Sequence, residues 1–457
     1  MAIIEGRWVG SAPEYSFEQY AEIDIIKESD HYTLTLWDRK VEEIVPKKIT
    51  LLSANSFEVT TPHWIMNTQV ELSGVFISDD QLELTVKKDG MTGLDSYTAI
   101  MKKVSKEAAE TFDFSAKYEY KTPEIDSELL FPATDSEETG IPHEKLEHVV
   151  NSLKTLNGRY DDPNTGRIEG LLILKDNKLI LEEYFGRFTA ESQHATASCV
   201  KSIIAILYGV LYDQGKSKLD EILTDAFKDV NCTWAKPATV ENVLNMSTGS
   251  EFGLDESRIL LETDKVAKLV LGAPQVADPG SVFNYDNGLP CVLAQYIELK
   301  SGLGIREFAK KYLFDPLNIT DYHWSDMREK SIDGTILPLA AGGFYMTMKD
   351  MAKIGSLIIN DGCYGDKRII STEYLKIMIS NHSGKDQYPY GFYWHIDCLH
   401  GKFQAPLALG QGGQIIAALA EQNMVVVMFS SLWQCPFTDP SQPAPWKQFA
   451  EEFLEKL

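Results

Sequence analysis

The sequence predicts an α+β protein in two parts. A small all-β, barrel-like domain comes first, followed by a larger domain whose antiparallel sheet is flanked by helices and interrupted by an inserted helical subdomain. Three observations lead there. Short runs in the first hundred residues alternate polar with apolar or β-branched side chains; the texture turns to mixed helix and strand from Ile141 onward; and apolar hairpins lie at both extremes of that second region. The 457 residues allow two or three domains at about 100–200 residues each.

In the first part, Glu22–Ile26, His31–Trp37, Ser56–Thr60, Gln69–Leu72, Gln81–Val86 and Tyr97–Lys102 read as strands, with turns such as Asp79-Asp80 and Lys88-Asp-Gly90 between them. Evenly spaced short strands suggest an antiparallel barrel or sandwich over residues 1–105. Residues 106–140 read as an acidic linker: between Glu107 and Glu138 stand ten acidic residues and two lysines with almost no apolar periodicity, the pattern of a solvated connector. The second domain spans 141–457. It opens with a helix at His143–Leu153, then a hairpin over Gly170–Leu181 that turns at Asp176-Asn177. An all-apolar run, Ser202–Leu211, reads as a buried helix, and Gln414–Ala420 with Met424–Phe429 makes a second buried hairpin around Glu421-Gln-Asn423.

Composition removes several classes of function. Sixty-seven acidic against 43 basic side chains give a formal charge of −24, a surface that repels phosphate backbones and anionic lipid, so neither nucleic acid nor membrane is an expected partner. No basic leader and no apolar run of about 18 residues is visible, which suggests a cytoplasmic protein. The six cysteines (Cys199, Cys232, Cys291, Cys363, Cys398 and Cys435) lack Cys-x-x-Cys spacing and read as reduced, packed thiols. The nine histidines form no His-Glu-x-x-His pattern, so neither a metal nor another cofactor is expected.

The sharpest chemical signal is Thr196-Ala-Ser-Cys-Val-Lys201, at the head of the apolar run. On a helix, Ser198 and Lys201 share one face of the first turn, which lets the hydroxyl reach the amine. Lysine's reference pKa near 10.4 leaves only about one amine in a few thousand neutral at pH 7, so a lysine base needs burial, and an apolar helix supplies it. Ser-x-x-Lys alone occurs by chance in a chain of this length; its place matters, because an apolar helix has little solvent face on which to keep an idle lysine. Cys199 is a rival nucleophile but points off that face and reads as a packed thiol. In Asp278-Pro-Gly-Ser-Val-Phe-Asn-Tyr-Asp-Asn287, Tyr285 offers a phenol that can relay a proton and Asn287 an amide that can orient a carbonyl. Leu409-Gly-Gln-Gly-Gly-Gln414 opens the last hairpin, and its glycines let another chain approach the backbone.

Taken in order, Ser198-Cys-Val-Lys201, Tyr285-Asp-Asn287 and Gln411-Gly-Gly413 resemble the three active-site elements of the class C β-lactamase and penicillin-binding-protein-related serine hydrolases. Other landmarks agree, among them Thr239–Gly249, Ala340-Ala-Gly-Gly-Phe-Tyr-Met-Thr347 and Tyr390-Gly-Phe-Tyr-Trp394, and the likeness covers roughly residues 140–457. Residues 1–105 are similar to the lipocalin-like β domains attached to some members. The resemblance implies that Ser198 is acylated, that Lys201 and Tyr285 share the proton transfers, and that Asn287, Gln411, Gly412, Gly413 and Gln414 bind substrate, with the amides of Ser198 and Gln414 facing the oxyanion. One departure bears on substrate: the third element usually begins with lysine or histidine, and neutral Gln411 cannot neutralise a substrate carboxylate. A small neutral ester or amide is therefore the expected substrate of an esterase-like serine hydrolase. A β-lactamase or D-amino-acid-specific peptidase or amidase is one alternative, and a catalytically silent, ligand-binding member of the fold is another.

Overall fold

The computed structural model describes the chain apart from residues 1–3, 12–19, 37–46, 63–68, 88–95, 105–115, 125–129, 157–167, 186–187, 254–259, 261–262, 385–387, 398–403, 412, 431–444 and 455–457. Trp37, the Lys88-Asp-Gly90 turn, Cys398, Gly412 and Cys435 lie outside the described residues.

The first part is one sheet of nine strands: β1 (Gly6–Ser11), β2 (Tyr20–Lys27), β3 (Tyr32–Leu36), β4 (Lys47–Lys48), β5 (Thr50–Ser53), β6 (Ser56–Pro62), β7 (Gln69–Phe76), β8 (Gln81–Lys87) and β9 (Ser96–Val104). Their order is β4-β3-β2-β1-β9-β8-β7-β6-β5, all antiparallel, so the first strand pairs with the last. The two ends of that order, β4 and β5, are separated only by Ile49, whose amide donates to Tyr32 O at 2.9 Å. Residues 47–53 therefore neighbour β3 on one side and β6 on the other, and the meander closes on itself. Closure removes the exposed edges that an open sheet would present. The pleat sends alternate residues inward, and Trp8, Ile23, Ile25, Leu34, Phe57, Leu72, Phe76, Leu82 and Leu84 fill the centre. The six strands expected from alternation are all present; β1, β4 and β5 were not anticipated, because β4 and β5 together are too short and too exposed to show a period.

The acidic stretch is not solvated throughout. Its described part docks: the Tyr118 amide donates to Asn151 Oδ1 (2.7 Å), the Tyr118 hydroxyl to Glu183 Oε1 (2.8 Å), and the Tyr120 hydroxyl to Ile180 O (3.0 Å). Two tyrosines among the carboxylates were the available signal, since a phenol brings apolar area that charge counting ignores.

The second part centres on a six-stranded antiparallel sheet. Following β10 (Ile168–Lys175), β11 (Lys178–Tyr184) and β12 (His194–Ala195), the small strands β13 (Tyr322–Trp324), β14 (Asp326–Lys330), β15 (Ile336–Pro338), β16 (Phe344–Met346), β17 (Cys363–Tyr364) and β18 (Lys367–Arg368) lie within the helical insertion. The last four are β19 (His395–Asp397), β20 (Gln404–Gly410), β21 (Gln414–Leu419) and β22 (Met424–Ser430), and the main order is β11-β10-β22-β21-β20-β19. Strands from the two chain extremes thus meet at the β10–β22 pair, as the paired hairpins predict. The turn between β10 and β11 holds Asp176 and Asn177 at φ 53° and 56°, the left-handed conformation that Asn and Asp tolerate in two-residue hairpins.

Both faces of this sheet are covered, so its central strands β21 and β22 are buried at every position rather than alternating. Along β22, Met424, Val426 and Met428 meet one layer, which holds Leu146, Val149 and Leu153 of the helix His143–Leu156 together with Phe449 and Phe453. Val425, Val427 and Phe429 meet the other, which holds the helices Cys199–Asp213 and Met348–Ile359. The first of these helices is buried from Cys199 to Leu211, so its amino-terminal turn is pressed against the sheet.

Candidate active site

Ser198 stands at the N-cap of the helix Cys199–Asp213, with backbone angles of φ −69° and ψ −5°. Just before it, Ala197 is held at φ 47°, a left-handed conformation that costs a residue with a Cβ about 1–2 kcal/mol. The neighbours that hold this turn are visible. Thr196 donates to Phe344 O from both its amide (2.8 Å) and its hydroxyl (2.9 Å), and the Cys199 amide donates back to Thr196 O (3.1 Å). The result lifts the Ser198 hydroxyl to the positive end of a buried helix, where a developing alkoxide is favoured.

Lys201 lies one turn on and is 1% exposed. Its Nζ reaches Ser198 Oγ at 2.8 Å and Ala341 O at 2.7 Å. Burial holds the amine down at about 7, despite upward pulls from Cys291, Cys199 and Asp286. A neutral amine has two N–H groups and one lone pair: one N–H is used by Ala341, and the lone pair can accept the serine proton. The lysine fulfils the requirement that its place on an apolar helix implied.

Tyr285 closes the other side. Its ring centroid is 5.0 Å from Lys201 Nζ. Burial raises the phenol well above its ordinary value, and hydrogen bonding toward Ser198 offsets this only in part, so at neutral pH Tyr285 carries its proton. Asp286 and Asn287 turn the chain into the helix Gly288–Ser301: Asp286 Oδ1 accepts from the amides of Gly288 (2.6 Å) and Leu289 (3.1 Å). Asn287 is 3% exposed at this helix start, and the Cys291 thiol donates to its carbonyl at 3.6 Å. Cys199 is buried with its thiol on Gln414 O at 3.5 Å and pushed far up by desolvation, as expected of a packed thiol. The four described cysteines Cys199, Cys232, Cys291 and Cys363 are all free.

The third element arrives by close approach. A Cβ on Gly410 would meet Thr196 O at 2.3 Å and Ala197 Cβ at 3.2 Å, so only glycine lets β20 pass this near the serine turn. Gln411 is exposed at the tip of the β20–β21 turn, and Gly413 sits at φ 84°. The Gln414 side chain faces away from solvent: Nε2 donates to Ser430 O at 2.5 Å, and Oε1 accepts from the Ser430 amide at 3.4 Å. Its side chain ties β21 to β22, leaving its backbone as the part that borders Cys199.

Three groups near the site were not singled out from the sequence. Ala341 supplies the carbonyl that orients Lys201. His395 and Tyr388 are joined by a 3.2 Å bond beside Tyr285, and burial and Lys201 hold the imidazole down at about 3, hence neutral. The density of aromatics in Tyr388–His395 was the signal that could have found them. Away from this site, His194 Nε2 meets Glu169 Oε2 at 2.5 Å and its ring stacks on Phe429 at 4.3 Å, which anchors β12 four residues before the serine.

Comparison with known proteins agrees with this arrangement. The profile of the family described as Beta-lactamase matches residues 160–444. A 6-aminohexanoate-dimer hydrolase of Paenarthrobacter ureafaciens is 22% identical over 281 residues, covering 57% of this chain and 68% of that protein. A penicillin-binding-protein homologue from Caulobacter crescentus superposes with a TM-score of 0.55 at 13% identity, over 69% of this chain and 98% of that one. The hydrolase EstCE1, described as having promiscuous acyltransferase activity, gives 0.52 at 15% identity over 67% and 98%. With the profile covering well over half its length, the chain belongs to the β-lactamase family of serine hydrolases.

Proposed function

We propose that this hydrolase turns over a small, neutral carboxylic ester or amide through an acyl-enzyme on Ser198. The observation that carries the reading is the 2.8 Å contact between Ser198 Oγ and an amine that burial holds near neutrality. In the first half-reaction Lys201 takes the serine proton as Oγ bonds to the substrate carbonyl carbon. The oxyanion forms against the backbone amides of Ser198 and Gln414, the role that typically contributes most to such reactions. As the tetrahedral species collapses, its C–O or C–N bond breaks and Tyr285 delivers a proton to the departing oxygen or nitrogen, then recovers one from Lys201. In the second half, water attacks the acyl carbon and gives a proton to the same pair; the bond from the acyl carbon to Oγ then breaks, that proton passes to Oγ, and the acid leaves with the Ser198 hydroxyl restored. Asn287, Gln411, Gly412 and Gly413 are assigned to substrate contact, Asn287 from a position only 3% exposed.

Neutral Gln411 supports an uncharged substrate, because the position supplies no counter-charge to a carboxylate. Ser198→Ala should abolish both turnover and labelling by a fluorophosphonate. Comparison of a p-nitrophenyl ester, a chromogenic cephalosporin, a D-alanyl peptide and 6-aminohexanoate dimer identifies the class. Preference for the anionic cephalosporin or peptide would replace the esterase-like reading with a β-lactamase or peptidase, and failure of every acyl donor to modify Ser198 would leave a ligand-binding member.

A further inference from the structure

The side of the site that carries Tyr285 is walled by rings from two segments, Phe283–Tyr285 and Tyr388–His395. His395 sits among three tyrosines, with centroid distances of 5.0 Å to Tyr390, 5.4 Å to Tyr388 and 6.3 Å to Tyr285. Phe283 extends the wall, 4.9 Å from Tyr390 and 6.4 Å from Tyr388. Exposure grades it from back to front: Tyr390 is 1% exposed and forms the backing, Phe283 and His395 are half-buried, and Tyr388 shows 44% of its surface. A ring so open, pinned through its hydroxyl to His395 Nδ1 at 3.2 Å, offers a fixed apolar face rather than core packing. The wall is built from phenyl, phenol and imidazole rings, and burial keeps the His395 imidazole neutral.

Position sets what this face can touch. Under the proposed function Tyr285 protonates the departing group, and Phe283 is two residues from it on the same loop, so the rings border the leaving side rather than the acyl side. We propose that Phe283, Tyr388 and His395, backed by Tyr390, form the leaving-group subsite of this hydrolase and take an aromatic or other flat, uncharged alcohol or amine. The inference rests on the hydrolase reading, and its test separates the two.

Ethyl and benzyl butyrate pass through the same butyryl-enzyme, so the ratio of their kcat/KM values reports acylation and leaving-group recognition alone. Tyr388→Ala should lower the benzyl:ethyl ratio about five- to tenfold, the size of one lost aromatic contact. Tyr388→Phe keeps the ring and should keep the ratio, and Phe283→Ala should lower it in the same direction. A benzyl:ethyl ratio within about twofold of the parent protein in both alanine variants, with Ser198 still acylated by both esters, overturns the subsite and leaves the hydrolase intact. Absence of butyryl transfer to Ser198 from either ester overturns both. Should Tyr388→Ala lose its fold by thermal unfolding, the Phe283→Ala ratio decides.

Discussion

Lys201 is the residue on which the proposed chemistry turns. Its amine must be neutral to take a proton from Ser198, and its value near 7 is lowered first by desolvation. The sign follows directly: below about pH 7 the amine is charged and cannot accept, and above it the base is available. Acylation, read as kcat/KM for a neutral ester, should therefore rise about tenfold per pH unit below 7 and level off above it. A plateau extending down to pH 5 would remove Lys201 from the role. His395 does not add a second limb in that range, because it stays neutral down to about pH 3. Lys201→Ala should lower kcat/KM by at least about a thousandfold while the protein stays folded, in keeping with loss of a positioned base.

At the scale of elements, the site depends on three segments meeting, and the tightest meeting is between β20 and the serine turn. Gly410→Ala would drive a Cβ to 2.3 Å from Thr196 O, a backbone atom that cannot swing aside. The strand must shift, so acylation should fall at least about tenfold and the thermal midpoint should drop, consistent with a cost of about 1–3 kcal/mol for overpacking. An unaltered rate would mean that β20 does not border the serine. Much of this level was legible in the sequence: the helix that carries Ser198, the two buried hairpins and their turns lie where periodicity and turn residues put them. Ser198, Lys201 and Tyr285 lie close together, and Gly410 brings the end of β20 against the serine turn. What sequence reading missed has physical causes. His395 and Tyr388 act through aromatic packing, which leaves no spacing rule, and Ala341 contributes only a carbonyl, which every residue possesses. Tyr118 and Tyr120 were hidden inside a run of carboxylates that charge counting reads as solvated.

At the scale of the molecule, the interior divides into separate cores. The barrel encloses its own cluster around Trp8, Phe57 and Phe76, while the two layers of the hydrolase part share the sheet β10–β11 and β19–β22. Separate cores predict separable stability. Trp8, fully buried at the barrel centre, should cost about 3–5 kcal/mol when replaced by alanine. That loss should appear in calorimetry as an early transition, while fluorophosphonate labelling of Ser198 proceeds at the parent rate below the second transition. Loss of labelling together with the first transition would join the two parts into one cooperative unit.

The proposed function requires that the Ser198 hydroxyl, at the head of a buried helix, become a covalent carrier of the acyl group. Intact-mass spectrometry during turnover of a neutral ester, followed by peptide mapping, tests it most directly. Acylation of Ser198 should give a mass gain equal to the acyl group, located on the peptide that contains Ser198, accumulating at pH 8 and suppressed at pH 5.5. Turnover without any adduct after acid quenching, or an adduct on another residue such as Cys199, would contradict it.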